Sequence, residues 1–395
     1  MISATRLDAA TAAVTVLSNR AEVTDWALRY FGPWWNATSA DAAALRVGPV
    51  VIADVEPADY EEITRLVHDG RPTEEVDYAK HTMLVAHDGE DIIATSPEEG
   101  IAYRSTPVSG RLVLAGADAR ALALAAARLA RESIRGQLLR DGWAVLHASA
   151  VVREGDSATV LTFGDKGAGK TTTALLLASH GWQLLANDRV LVRPAGARDV
   201  QVLPWPSAAA LGLGLLHSLG WDVRAREYLR AGAGFHPTQH ESVTEALLAG
   251  DHTPLWDGKG KERKVQVCPD QFPALFEVPL ATGGRAAALL FPQVDADAAP
   301  GVVDAVRALG EADFMSGATE DRYPDVFGLA QGVDGGGRDS VRTEVALRLA
   351  ALPHHAVRLN HDIPAGAALL GKVADTATRP GASPLRETSH PYKDR

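Results

Sequence analysis

The octapeptide Gly164-Asp165-Lys166-Gly167-Ala168-Gly169-Lys170-Thr171 fits the pattern G-x-x-x-x-G-K-[ST] at every specified position. Its glycines let the main chain wrap closely around an anion, and the loop amides and the N-terminus of the following helix supply donors and positive potential. In such a loop Lys170 reaches the β- and γ-phosphates of a nucleoside triphosphate. The Thr171 hydroxyl joins the shell of a Mg²⁺ ion, and Thr172 carries the loop into the helix. A chain holding 36 glycines can meet the pattern by chance, so the flanks decide. Ser157–Phe163 (SATVLTF) reads as a strand, Lys170–His180 as a helix stopped by Gly181, and Trp182–Ala186 as a second apolar strand before Asn187-Asp188. Strand, glycine loop, helix and strand in this order are the context the motif requires.

Upstream, Trp143–Val152 (WAVLHASAVV) reads as a strand in a hairpin with Ser157–Phe163, turning through Arg153-Glu154-Gly155-Asp156. It carries His147, a candidate to hydrogen-bond a catalytic carboxylate or a phosphate; the plainer alternative is a satisfied core histidine. Asp188 closes the apolar run 18 residues after Lys170. A carboxylate there can hold Mg²⁺ or accept the proton of an attacking hydroxyl, or simply form a turn. Lys259, Lys261, Arg263 and Lys264 make a basic segment in an acidic chain. Such a cluster can close over a triphosphate, with Arg263 and Lys264 the better held because they abut the strand-like Val265–Cys268; otherwise it is a solvated loop.

The 395 residues carry a formal net charge of −11, which argues against general nucleic-acid binding. Cys268 is the single cysteine, so no internal disulfide forms, and the amino terminus lacks a signal-peptide pattern. A cytoplasmic location is the expectation. The alanine-rich stretch Ala119–Leu139 is interrupted by Arg120, Arg128, Arg131, Glu132 and Arg135, so it reads as a helix away from lipid and no membrane partner is expected. Residues 1–115 form an α/β or mostly β accessory unit with strand-like runs at 50–55 and 82–86. Residues 116–374 form the core unit, with loops and short helices over 205–264, strands near 286–291 and 356–359, and a helix near 342–351. The Pro-, Ser- and charge-rich tail 375–395 has no apolar period and is expected to be poorly ordered.

The block from His147-Ala148-Ser149-Ala150-Val151 through Gly164–Thr172 to Leu184-Leu185-Ala186-Asn187-Asp188 resembles the kinase domain of the HPr serine kinase/phosphorylase family. The resemblance is sharp over about 45 residues, looser from Leu203 to about Pro292, and does not cover the first hundred. It implies an α/β fold with a mixed-sheet kinase core related to the phosphoenolpyruvate carboxykinase nucleotide fold, and it implies site roles for His147 and Asp188. Two departures stand out. The family's acidic pair appears as Asn187-Asp188, and an amide cannot accept a proton; the downstream acidic, arginine-glycine signature is also missing, which argues against HPr as the acceptor.

Together these readings predict a Mg²⁺-dependent kinase using ATP, with GTP open, that phosphorylates a hydroxyl of a small molecule or of a peptide serine. Catalytic candidates are Asp188, His147, Lys170, Arg263 and Lys264, with Thr171 and Asp188 as metal ligands. Self-association into a homo-oligomer is left open. The alternative is a nucleotide-hydrolysing switch or binding module without a phosphoryl acceptor, disfavoured because the sequence shows neither a second, distant acidic strand motif nor an arginine-finger context.

Overall fold

The structure, a computed structural model, describes residues 2–41, 48–315, 324–333 and 335–379. Two large mixed sheets with helices packed on them make it a mixed α/β protein. The first sheet uses β1 (Ser3–Ala9), β2 (Ala12–Ser18), β3 (Thr38–Ser39), β4 (Val50–Val55), β5 (Glu74–Tyr78), β6 (His81–Asp88), β7 (Asp91–Ser96), β8 (Ile101–Thr106) and β9 (Arg111–Gly116). Their order is β3-β1-β2-β4-β9-β8-β7-β6-β5. Among the described residues of this sheet, only the β2–β4 and β4–β9 neighbours run parallel. Short turns such as Asp88-Gly89-Glu90-Asp91 make antiparallel pairing the local solution from β5 to β9.

Strand alternation gives this sheet two covered faces. Ala94 and Tyr103 join the cluster that contains α1 (Ala21–Trp35), while their neighbours Ile93 and Ala102 meet Ile63 and Val67 of α2 (Pro57–His68) on the opposite side. Helix α3 (Ala119–Arg140) starts at Asp118, whose side chain accepts the Arg120 N–H at 2.8 Å. It is buried along most of its length because one core cluster runs from β2 and β4 through α3 to Trp143, Val145, Leu191 and Trp205. The charges that interrupt its apolar sequence are handled inside: Glu132 lies 2.8 Å from Arg135 and 3.6 Å from Arg131. Pairing of this kind offsets the cost of taking ions out of water. Among the described residues no helix is long and apolar enough to cross a membrane.

The second sheet begins with β10 (Ala144–Leu146), β11 (Ser149–Arg153) and β12 (Ala158–Thr162), followed by α4 (Lys170–Ala178), β13 (Trp182–Ala186), β14 (Val190–Ala195) and β15 (Asp199–Pro204). The segment after it holds β16 (Ala209–Leu211), α5 (Leu213–Ser218), α6 (Asp222–Arg230), α7 (Glu241–Ala249), β17 (Leu255–Trp256), β18 (Glu262–Arg263), β19 (Val265–Val267) and α8 (Gln271–Phe276). Then come β20 (Gly284–Val294), β21 (Gly301–Val303), α9 (Asp339–Ala350), β22 (His354–Leu359) and α10 (Ile363–Ala377). The sheet order is β10-β14-β15-β20-β12-β11-β13, with β22 on β20 and β21 on β22. Strand β20 runs parallel to both β12 and β22. Strand β13 lies beyond β11, so the strand leaving α4 is not a direct neighbour of β12.

Two expectations need correction. The run Trp143–Val152 is not one strand: it breaks at His147-Ala148, and β10 pairs with β14 while β11 pairs with β12 and β13. Both halves are buried, so a largely apolar run, interrupted only by His147 and Ser149, conceals the change of partner. The tail is helical at its start, because α10 continues through Ala377 and buries Val373, Ala374 and Ala377. Residues 380–395, the rest of that expected tail, lie outside the described residues.

Candidate functional site

The glycine loop leaves the C-terminal end of β12 and enters α4 at Lys170. Gly169 sits at φ +99, where a side chain is strained, and a Cβ there would lie 3.1 Å from Val294 Cγ2 at the end of β20. Glycine is therefore dictated by both conformation and the close approach of β20. Within the loop Ala168 N–H donates to Asp165 O at 3.1 Å, and Thr173 N–H starts the helical ladder by donating to Gly169 O at 2.8 Å. Among the described residues the N–H groups of Lys166, Gly167, Gly169 and Lys170 find no protein acceptor. Orphan donors along the loop and at the start of a helix fit a phosphate group.

Lys170 Nζ donates to Gly164 O at 2.5 Å and Asp165 O at 3.3 Å, so the ammonium is folded onto its own loop. Burial pushes its pKa below the usual lysine range, against the opposing pull of Asp188, Asp165 and Asp313. Two hydrogen bonds fix the helix start to the sheet: Ser149 Oγ donates to Lys170 O at 2.8 Å, and Thr171 Oγ1 donates to Asn187 O at 3.3 Å.

The break between β10 and β11 sets His147 apart from the strands. Its N–H donates to Asp313 O at 2.7 Å, and its ring Nε2 lies 3.0 Å from Asp188 Oδ1. Asp188 Oδ2 lies 3.3 Å from Arg189 Nη1. Burial pushes the Asp188 carboxyl up, but the hydrogen bond to His147 and the charges of Arg189, His147 and Lys170 outweigh it and hold its pKa at about 2. Asp188 is thus ionised at neutral pH, with its side chain still 40% exposed. Asn187 does a different job: it is buried, its carbonyl takes the Thr171 hydroxyl, and its Oδ1 accepts from Ser207 Oγ at 3.4 Å.

His147, Asp188 and Lys170 are therefore brought together at the mouth of the loop. Arg263 and Lys264 are engaged elsewhere: Arg263 Nη1 donates to Ser242 Oγ at 3.2 Å, and Lys264 Nζ lies 3.3 Å from Glu262. Lys259 and Lys261 sit in the turn of the β17–β18 hairpin, where their N–H groups donate to Asp257. The double variant Arg263→Ala/Lys264→Ala is expected to leave the Kd for Mg²⁺-ATP within about threefold, measured by calorimetry, because both cations already hold partners within the protein. A loss of about tenfold or more would return the cluster to the phosphate site.

Three further residues at the site carry no motif. Arg189 follows Asp188 directly and was findable by adjacency. Arg307 and buried Asp313 form a two-pronged pair at 2.7 and 2.6 Å, and nothing in the local sequence marks them. Among the described residues there is no group of three or more His, Cys, Asp or Glu side chains that could hold a metal. A Mg²⁺ held mainly by phosphate oxygens needs only one or two protein ligands, and Thr171 with Asp188 fits that modest demand. No family model matches the chain, and no curated protein matches its sequence.

Proposed function

We propose that the chain is an ATP-dependent kinase of the HPr serine kinase/phosphorylase-like kind. It would transfer the γ-phosphoryl group to a hydroxyl of a small molecule or of a peptide serine. The observation that carries this reading is the His147–Asp188 contact of 3.0 Å beside Lys170 and the glycine loop. A nucleotide-binding loop alone would serve a switch equally well; a histidine-held carboxylate next to it suits an acceptor hydroxyl.

In this reading the orphan N–H groups of the loop and Lys170 bind phosphate oxygens, and Thr171 and Asp188 hold Mg²⁺, which when bound neutralises phosphate charge. Asp188 accepts a hydrogen bond from the acceptor hydroxyl and takes its proton. A carboxylate with a pKa of about 2 is a weak base. In a loose phosphoryl-transfer transition state, however, the nucleophile needs orientation more than early deprotonation, so weak basicity suffices. His147 keeps the carboxylate in one orientation.

The test is incubation of the full chain with Mg²⁺ and γ-labelled ATP, alone and with a library of hydroxylated metabolites and serine peptides. Label appearing on a third molecule, with a mass gain of one phosphoryl group, is the expected result. Release of free phosphate alone, whatever acceptor is added, would replace the kinase reading with the hydrolytic switch.

A further inference from the structure

Arg307 follows β21 on the segment that leads to Asp313, far in sequence from the glycine loop. Its guanidinium lies 5.5 Å from the ring centroid of Phe291, and Phe291 stacks at 6.0 Å on Phe163, the residue before Gly164. That chain of rings sets the cation at the edge of the loop. The guanidinium feels the charge of Asp165, and its own charge acts on Lys170, one at each end of the loop.

Asp313 is 5% exposed and accepts from both Nη1 and Nη2 of Arg307, while Arg307 itself is 43% exposed. A buried carboxylate gripping an exposed arginine in this way fixes the plane of the guanidinium. Nη1 also donates to Ala308 O at 3.1 Å. Of the five guanidinium N–H groups, that leaves Nε–H and one Nη2–H without a protein acceptor among the described residues. The backbone carbonyl of the same Asp313 receives the His147 N–H at 2.7 Å. Arg307 and His147 are therefore anchored to one residue, which puts the cation on the wall that carries the His147–Asp188 pair.

We infer that Arg307 is an anion-binding residue for the terminal phosphate of the nucleotide, a built-in arginine pre-oriented by Asp313 at the transferring end of the site. The inference rests on reading the glycine loop as a triphosphate site. A planar, fixed guanidinium with spare donors suits phosphate oxygens better than a mobile lysine does. Anchoring through Asp313 removes much of the side-chain ordering that binding would otherwise require. The residue should therefore discriminate between triphosphate and diphosphate.

The experiment is calorimetric titration of the full chain with Mg²⁺-adenylyl imidodiphosphate and, separately, with Mg²⁺-ADP. Arg307→Ala is expected to weaken the triphosphate analogue about tenfold or more, the worth of a charge-assisted hydrogen bond, and to weaken ADP by less than about threefold. Equal losses for both nucleotides, or none for either, would overturn the assignment. Should Arg307→Ala fail to fold because Asp313 is left buried without a partner, Arg307→Gln/Asp313→Asn keeps a neutral hydrogen-bonded pair and must show the same selective loss. A wild-type chain that binds neither nucleotide would defeat the phosphate-site reading itself. Wild-type binding with an indifferent Arg307 would defeat this assignment alone.

Discussion

Lys170→Ala is expected to lower phosphoryl-transfer turnover by about two to three orders of magnitude while the chain stays folded, the scale seen when one preorganised donor to developing charge is removed. Among the described residues the ammonium donates to two carbonyls of its own loop, Gly164 O and Asp165 O, so no core packing depends on it. Burial disfavours its charge, while Asp188, Asp165 and Asp313 compensate in part. A bound triphosphate adds negative charge beside the ammonium, which concentrates the residue's effect on the bound state. Lys170→Met keeps most of the side-chain volume and should show the same loss, separating charge from packing. Circular dichroism and thermal melting should match wild type within a few degrees. Wild-type turnover in either variant would remove the glycine loop from the chemistry.

The legible parts of the site are those written in contiguous residues. The order strand, glycine loop, helix, strand appears as β12, the 164–169 loop, α4 and β13, because motif and periodicity are both local signals. Val50–Val55 is a strand with the expected bounds for the same reason. His147 and Asp188 were nameable one at a time. Their meeting depends on a strand break at His147 that the β-rich run Trp143–Val152 hides, and on β13 returning beside β11. Arg307 and Asp313 were out of reach, since a cation–ring contact and a buried ion pair more than 130 residues from the loop leave no periodic trace. The basic segment 259–264 shows the converse: local charge density is conspicuous, yet Arg263 and Lys264 spend their hydrogen bonds on Ser242 and Glu262. The order of the first sheet, with β9 beside β4 rather than at an edge, is equally a tertiary fact. Burial of Arg131, Glu132 and Arg135 in α3 belongs there too, because charge in sequence predicts exposure until a partner is found.

Asp188→Asn is expected to cut turnover by about two to four orders of magnitude, the range for loss of a positioned proton acceptor in the transition state. The amide keeps the size of the carboxylate and can still accept from His147, so the geometry survives and the charge is lost. Stability should fall slightly. The carboxyl is held at about 2 against an ordinary 3.8, nominally about 2.5 kcal/mol, but a side chain 40% exposed is screened by solvent, leaving about 1 kcal/mol. Because the folded pKa is the lower one, this contribution is complete above 3.8 and is lost as pH falls toward 2. Stability of wild type and variant should therefore converge in strong acid and differ by a constant amount above about pH 5. Turnover adds a second reading: Asp188 stays ionised throughout the neutral and mildly acidic range, so an acid limb of wild-type activity above about pH 4 belongs to another group. Two results then separate the roles of the carboxylate. A large rise in the Mg²⁺ concentration needed for half-maximal rate assigns it mainly to metal ligation, whereas unchanged Mg²⁺-nucleotide affinity with a collapsed rate assigns it mainly to the acceptor proton. Near-normal turnover would exclude both, leaving His147 and Asp165 as the proton acceptors to test next, because His147 lies beside the Asp188 carboxylate and Asp165 sits within the phosphate loop itself.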